Sequence, residues 1–371
     1  MSAGGYAQRL MRLIVCLLLA PVLFGQALPR PGFTHEAPFD PRTATGKYKH
    51  PASITELDNG DLYLTYYGGD GEYAPSTAVY GSRKGKGSAR WSTPAKLAQD
   101  PFYSAGNPVV WQAPDGVVWL WYVVRPGATW STSRIAAKVS RDGARTWSDA
   151  SFITFEEGTL VQAAPIVLAS GEYLLPVWKE TGHDTEFVAA DAASFFLLYD
   201  PKTRKWSESS RVHSRVGNIE PSAAELRPGE LVAFCRRAGG YGVGAQGYPA
   251  YVVKTESRDG GRTWTPGEET EFPNPNAAVA LLKMASGKLL LIFNDSLAER
   301  TPLTAVVSSD GGKTFSKKLN LAEGKNDYAY PYLIQSKDGL VHLVYTSQRR
   351  STVNHLTFTE EALEKALAGV K

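Results

Sequence analysis

The 371-residue chain has little cysteine, little net charge and few stretches that read as long helix. Of its two cysteines, Cys16 lies in an apolar N-terminal run, which leaves Cys235 alone and excludes an internal disulfide once that run is removed. An exported chain without bridges must rest on a core large enough to be stable by itself. Cys235 sits inside the apolar stretch LVAFC and reads as a buried, inert thiol rather than a nucleophile. Basic and acidic residues number 40 and 37, a balance that argues against nucleic acid as a partner. The six histidines are scattered without metal-ligand spacing, and no G-x-S-x-G elbow occurs. GYGVGAQG, residues 240–247, matches G-x-G-x-x-G formally, but no βαβ unit surrounds it, so it reads as a loop at a rim rather than a dinucleotide site. No cofactor and no metal are expected.

Residues 1–27 read as an export signal. Arg9 and Arg12 precede an apolar run, Leu13–Phe24, and Gly25, Gln26 and Ala27 supply a plausible cleavage point. The run is too short to span a bilayer, and no stop-transfer pattern follows, as an uncleaved anchor would require. Cleavage would leave a secreted or periplasmic chain, with no membrane contact and a net charge near +1 from 38 basic and 37 acidic residues.

What the chain does have is repetition. SRDGARTW (140–147), SRDGGRTW (257–264) and SSDGGKTF (308–315) are three copies of one turn. The Asp can accept backbone N–H groups across the turn, the glycines permit positive φ, and the aromatic can pack between sheets. Such turns hold a structure and do no chemistry. They belong to a longer period: NGDLYLTYY, DGVVWLWYV, SGEYLLPVW, PGELVAFCR, SGKLLLIFN and DGLVHLVYT place turn glycines at 60, 116, 171, 229, 287 and 339. Repeats of 52–58 residues built from strands mean a propeller. The expected fold is all-β, a six-bladed β-propeller with four-stranded antiparallel blades, occupying residues 28–371 as one domain. Blades are expected at roughly 50–100, 105–155, 162–212, 218–272, 275–322 and 328–358. A strand within 33–48 is expected to close the ring, and 359–370 to form a short helix.

The three turns resemble the Asp box, or bacterial neuraminidase repeat, of the sialidase superfamily, and the likeness runs from about 45 to 358. It is stronger around the expected channel mouth, where inner strands begin. Lys49, His50, Asn107, Gln162, Glu220, Asn276, Tyr328 and Tyr330 stand just before or at those strands; Asp70, Arg125, Glu180, Arg236 and Arg349 end the second strands nearby. IEPSAAELRPGELVAFCRR is similar to the sialidase segment in which a Glu opens one strand and an Arg closes the next, which implies roles for Glu220 and Arg236. ERTPLTAVVSSDGG matches the segment of a further Arg, here Arg300. AYPYLIQSKDG matches the segment of the nucleophilic Tyr, here Tyr330, with Tyr328 as the neighbouring choice.

The resemblance implies a retaining exo-glycosidase acting on a terminal anionic sugar, sialic acid or a relative. Guanidinium groups grip a carboxylate bidentately. A neutral Tyr is not repelled by that carboxylate, but its high pKa requires a base, the role implied for Glu220. In GGDGEYAP the acid is expected to be Asp70, with Glu72 as alternate. Sialidases place an Arg before the first inner strand; this chain has Lys49 or His50 there, and Arg349 or Arg350 could replace the charge. A non-catalytic glycan-binding propeller, and a hydrolase or lyase for uronic acids, are the competing functions. Carbohydrate is the expected partner in each case.

Overall fold

The computed structural model describes residues 28–40, 42–185, 187–240 and 249–370. Residues 1–27, expected to be an export signal, and nearly all of the Gly-rich stretch 240–247 lie outside the described residues. Six antiparallel sheets follow one another along the chain and form a six-bladed propeller. From the axis outward, blade one is Tyr48–Glu56, Leu62–Gly69, Ala78–Lys84 and Ala95–Ala98. Blade two is Ser104–Gln112, Val118–Arg125, Arg134–Ser140 and Ser151–Phe152. Blade three has a broken inner strand, Thr159–Val161 and Ile166–Val167, then Tyr173–Lys179, Ala193–Asp200 and Lys205–Glu208. Blade four is Asn218–Arg227, Glu230–Arg237, Tyr251–Ser257 and Glu268–Pro273, and blade five Ala280–Lys283, Leu289–Asn294, Leu303–Ser308 and Leu319–Ala322. Blade six is Ala329–Gln335, Leu340–Ser347 and Thr352–Thr359, with Phe33–Glu36 pairing on its outside.

The ring closes because that last strand comes from the other end of the chain. Phe33 stacks on Phe358 with ring centroids 4.7 Å apart. Glu36 accepts from His355 at 2.8 Å, from Lys84 at 2.8 Å and from Trp91 Nε1 at 3.0 Å, so one carboxylate ties blade six to blade one. The helix Glu360–Ala368 follows at once, capped by Thr359 Oγ1, which accepts from Ala362 N at 3.1 Å, and it buries Leu363 against the core between blades five and six.

The core lies between blades, because each sheet is apolar on both faces. Strand Leu289–Asn294 is buried throughout, and Val232 and Phe234 of blade four pack on Leu289, Leu291 and Phe293 of blade five. The Asp boxes fasten these contacts from outside. Asp259 accepts from Arg262 N at 3.0 Å and Thr263 N at 2.9 Å, and Asp142 and Asp310 repeat the pattern. The closing aromatic reaches the preceding blade: Trp264 stacks on Phe196 at 4.2 Å, and Phe315 meets Phe234 at 5.9 Å.

One local feature positions the site. In four blades the inner strand opens on a residue followed by proline: His50, Asn107, Glu220 and Tyr330. Proline has no N–H for the ladder, and the pairing register breaks at each of these points. Asn107, Glu220 and Tyr330 adopt φ of 45°, 51° and 54°, and Asn276 before blade five's inner strand adopts 63°. Left-handed backbone costs a non-glycine residue about 1–3 kcal/mol. The bulge re-aims the side chain, and at these positions it turns toward the axis.

Candidate functional site

Where the inner strands begin, side chains from all six blades meet. Arg236, at the end of blade four's second strand, donates from Nη1 to Glu220 Oε1 at 2.8 Å and to Tyr330 Oη at 2.9 Å. Its Nε donates to Asn276 Oδ1 at 2.7 Å. Arg237, next along the strand, faces the opposite way and donates to the backbone oxygens of Asn274 and Ala238. Arg300 donates from Nη2 to Asn276 O at 3.0 Å, and its guanidinium carbon lies 5.4 Å from the Tyr330 ring centroid. Burial pushes the Tyr330 phenol above its ordinary value; Glu220 adds to the rise, while Arg236 and Arg300 oppose it. Glu220 is 2% exposed, and its Oε2 has no hydrogen-bond partner among the described residues.

His50 stacks edge-on against Tyr330, with centroids 4.3 Å apart. Thr346 Oγ1 donates its single proton to Ala329 O at 3.2 Å, so it accepts from Nδ1–H of His50 at 2.6 Å. Burial and the surrounding arginines hold His50 well below its usual pKa, so it stands neutral. Lys49 faces away: its Nζ bonds Gly46 O at 2.7 Å, and the residue does not line the pocket.

A guanidinium from blade six also lines the pocket. Gln348, Arg349 and Arg350 all adopt left-handed backbone, with φ of 53°, 53° and 64°. That hairpin aims Arg350 inward, where Nη1 donates to Glu72 Oε2 at 2.6 Å and to Tyr48 Oη at 2.7 Å. Arg349, named from sequence, is exposed instead and its backbone N–H bonds Asp327. Glu72 thus lines the pocket in an ion pair. Asp70 does not reach the pocket: it is exposed and accepts from Ser76 Oγ at 2.9 Å. Tyr328 is buried in the core between blades five and six and donates to Glu323 O at 2.7 Å, away from the axis. Arg125 is clamped between Tyr73 and Trp130, at 3.9 and 4.7 Å, and donates to Glu72 O at 3.2 Å, holding the loop that carries Glu72.

Blade three contributes a group to which the sequence assigns no role. Glu180 follows the second strand and lines the same pocket as Glu220, Arg236, Tyr330, Arg350 and Glu72. Trp178 Nε1 donates to its Oε1 at 2.9 Å, and burial pushes its carboxyl up to about 7. Its place at a strand end was the only signal in the sequence. Among the described residues no group of three His, Cys, Asp or Glu is placed to hold a metal ion, and no helix is long and apolar enough to cross a membrane.

Comparison with known proteins agrees with this architecture. A family profile described as "BNR repeat-like domain" matches residues 60–343. Among curated proteins no sequence matches. Among solved structures, the Hadza microbial sialidase Hz136 is 18% identical with a TM-score of 0.72, over 89% of this chain and 69% of that one. The NanB sialidase of Streptococcus pneumoniae is 12% identical with a TM-score of 0.70, over 88% of this chain and 71% of that one. The α-L-arabinofuranosidase Arb93A of Fusarium graminearum is 15% identical with a TM-score of 0.66, over 90% of this chain and 99% of that one. At these identities the likeness is one of fold alone, that of the six-bladed propeller.

Proposed function

The chain belongs to the BNR repeat-like domain family, and from that premise we propose that it is a retaining exo-glycosidase that removes a terminal anionic sugar, of the sialic acid kind, from glycoconjugates. The observation that carries this reading is the sharing of Arg236 Nη1 between Glu220 and Tyr330 in a buried pocket. A phenol whose pKa is raised by burial needs a base at the moment of attack, and the unpartnered Oε2 of Glu220 is an acceptor for its proton. Attack of the Tyr330 oxygen on the anomeric carbon forms a glycosyl–tyrosine bond while the leaving oxygen takes a proton from an acid; water then reverses both transfers.

An anionic substrate suits the pocket for two reasons. Arg236, Arg300 and Arg350 supply guanidinium groups around Tyr330 and Glu72, which supports recognition of a sugar carboxylate. A neutral nucleophile is also the one that such a carboxylate does not repel. The likeness to Hz136 and NanB, both sialidases, supports the same class. Residues 9–27 of the sequence support export, which would bring the enzyme to extracellular glycans.

The test is turnover of aryl glycosides of sialic acid, a uronic acid and arabinofuranose, the last because Arb93A is a structural neighbour. Sialoside cleavage with retained anomeric configuration is expected, falling about a thousandfold or more in Tyr330→Phe and Glu220→Gln. Sialoside binding without turnover by the wild type would make the chain a glycan-binding module, and cleavage of the uronide alone would redirect the substrate.

A further inference from the structure

The reaction just described requires a proton for the leaving oxygen, and four carboxylates line the pocket: Glu72, Glu180, Asp184 and Glu220. Glu72 is paired with Arg350 and Glu220 with Arg236. Asp184 Oδ1 accepts the backbone N–H of Phe187 at 2.8 Å. Glu180 differs from the two arginine-paired glutamates. Its side chain makes one hydrogen bond, to the indole N–H of Trp178, and no ion pair among the described residues.

We propose that Glu180 is the proton donor to the leaving-group oxygen and, in the second half of the reaction, the base that activates water. The proposal rests on Tyr330 and Glu220 being the reacting pair. As the bond from Tyr330 oxygen to the anomeric carbon forms, the bond to the leaving oxygen breaks; the Glu180 proton goes to that oxygen and the phenol proton to Glu220. As water gives its hydroxide to the anomeric carbon and its proton to Glu180, the bond from that carbon to the Tyr330 oxygen breaks, and Tyr330 takes its proton back from Glu220. Every group returns to its starting state, and one glycoside and one water become a free sugar and the released hydroxyl compound.

The surroundings keep part of the carboxyl protonated up to neutral pH. Burial is the largest cause of a pKa raised to about 7; Trp178 and Arg236 pull it down, while Glu220 and Glu72 push it up. Blades three and six are opposite in a ring of six, so Glu180 and Tyr330 enter the pocket from opposite sides.

Glu180→Gln is tested on two sialosides with the same sugar, 4-methylumbelliferyl sialoside and sialyllactose. The poor leaving group of sialyllactose needs the proton, so kcat/KM should fall about 10²–10⁴-fold there. The first-step burst with the aryl sialoside should fall less than about tenfold, a glycosyl–Tyr330 adduct should accumulate, and azide should restore its turnover. Trp178→Phe removes a hydrogen bond that lowers the Glu180 pKa, so the basic limb of its pH profile should move to higher pH; this variant keeps the test open should Glu180→Gln fail to fold. Equal losses on both substrates, or an unmoved basic limb in Trp178→Phe, would overturn the assignment. Wild-type turnover by Tyr330→Phe would instead remove the underlying reading, and inertness of the wild type toward both sialosides would remove both.

Discussion

Tyr330 and Glu220, from blades six and four, hang from the same nitrogen of Arg236, at 2.9 and 2.8 Å. The two groups proposed to react are therefore positioned by one side chain that is itself held by Asn276. Any change at Arg236 reaches both at once.

Arg236→Met should cost stability as well as activity. It leaves the Glu220 carboxylate buried without its cation, which costs about 3–5 kcal/mol. Adding Glu220→Gln should restore part of that loss, because the uncompensated charge is gone. Urea unfolding of the two single variants and the double variant measures the recovery.

Arg350 and Arg349 should separate cleanly despite being neighbours. Arg350→Ala removes a guanidinium that faces Glu72 and Tyr48, and should raise KM for an anionic glycoside about tenfold or more. Arg349→Ala removes an exposed side chain and should change KM less than about twofold. Steady-state kinetics on one aryl sialoside decides the matter.

The Asp-box aromatics should affect folding and spare chemistry. Trp264 is 8% exposed, stacks on Phe196 and donates to Gly261 O at 2.9 Å. Trp264→Ala should destabilise by about 3–5 kcal/mol while leaving kcat below the melting range near wild type. A thermal scan beside a kinetic assay at low temperature tests both halves.

Acid should weaken the fold before it touches the closure carboxylate. Burial holds His342 down to about 4, against an ordinary 6.5 in the unfolded chain. Above pH 6.5 neither state takes the proton; between 6.5 and 4 only the unfolded state does, so stability falls as pH falls, by about 3 kcal/mol from this group. Glu36 acts in the same sense at lower pH. Its pKa is depressed from 4.5 to about 2, with His355, Lys84 and Trp91 overcoming the opposing effect of burial, so its contribution is intact above 4.5 and is lost as pH falls toward 2. Urea midpoints from pH 8 to pH 4 should decline in the wild type and decline less in His342→Gln.

The propeller was legible because its signals are local and repeated. Six turn glycines at near-constant spacing, and Asp–Gly turns closed by Trp or Phe, each specify a strand end without reference to the rest of the chain. Positions at the heads of inner strands were legible too, since proline after His50, Asn107, Glu220 and Tyr330 marks the bulge that turns a side chain inward. Side-chain direction in the loops was not legible. Whether Asp70 or Glu72 faces the axis depends on Ser76 holding the first and Arg350 drawing the second. Arg350 itself points inward through three successive left-handed residues, none of them glycine, which residue type does not announce. The environment of Glu180 depends on an indole two residues back and on groups from other blades.

If the Tyr330 oxygen is the nucleophile, the sugar passes through a covalent bond to it, and trapping reveals that bond. The wild type is incubated with a fluorinated sialosyl fluoride that forms the intermediate quickly and releases it slowly, and the adduct is mapped by peptide mass spectrometry. One sugar per chain is expected, on Tyr330, absent from Tyr330→Phe and slowed in Glu220→Gln. An adduct on Glu180 or Glu220, or an unmodified chain that nonetheless consumes the reagent, would contradict it.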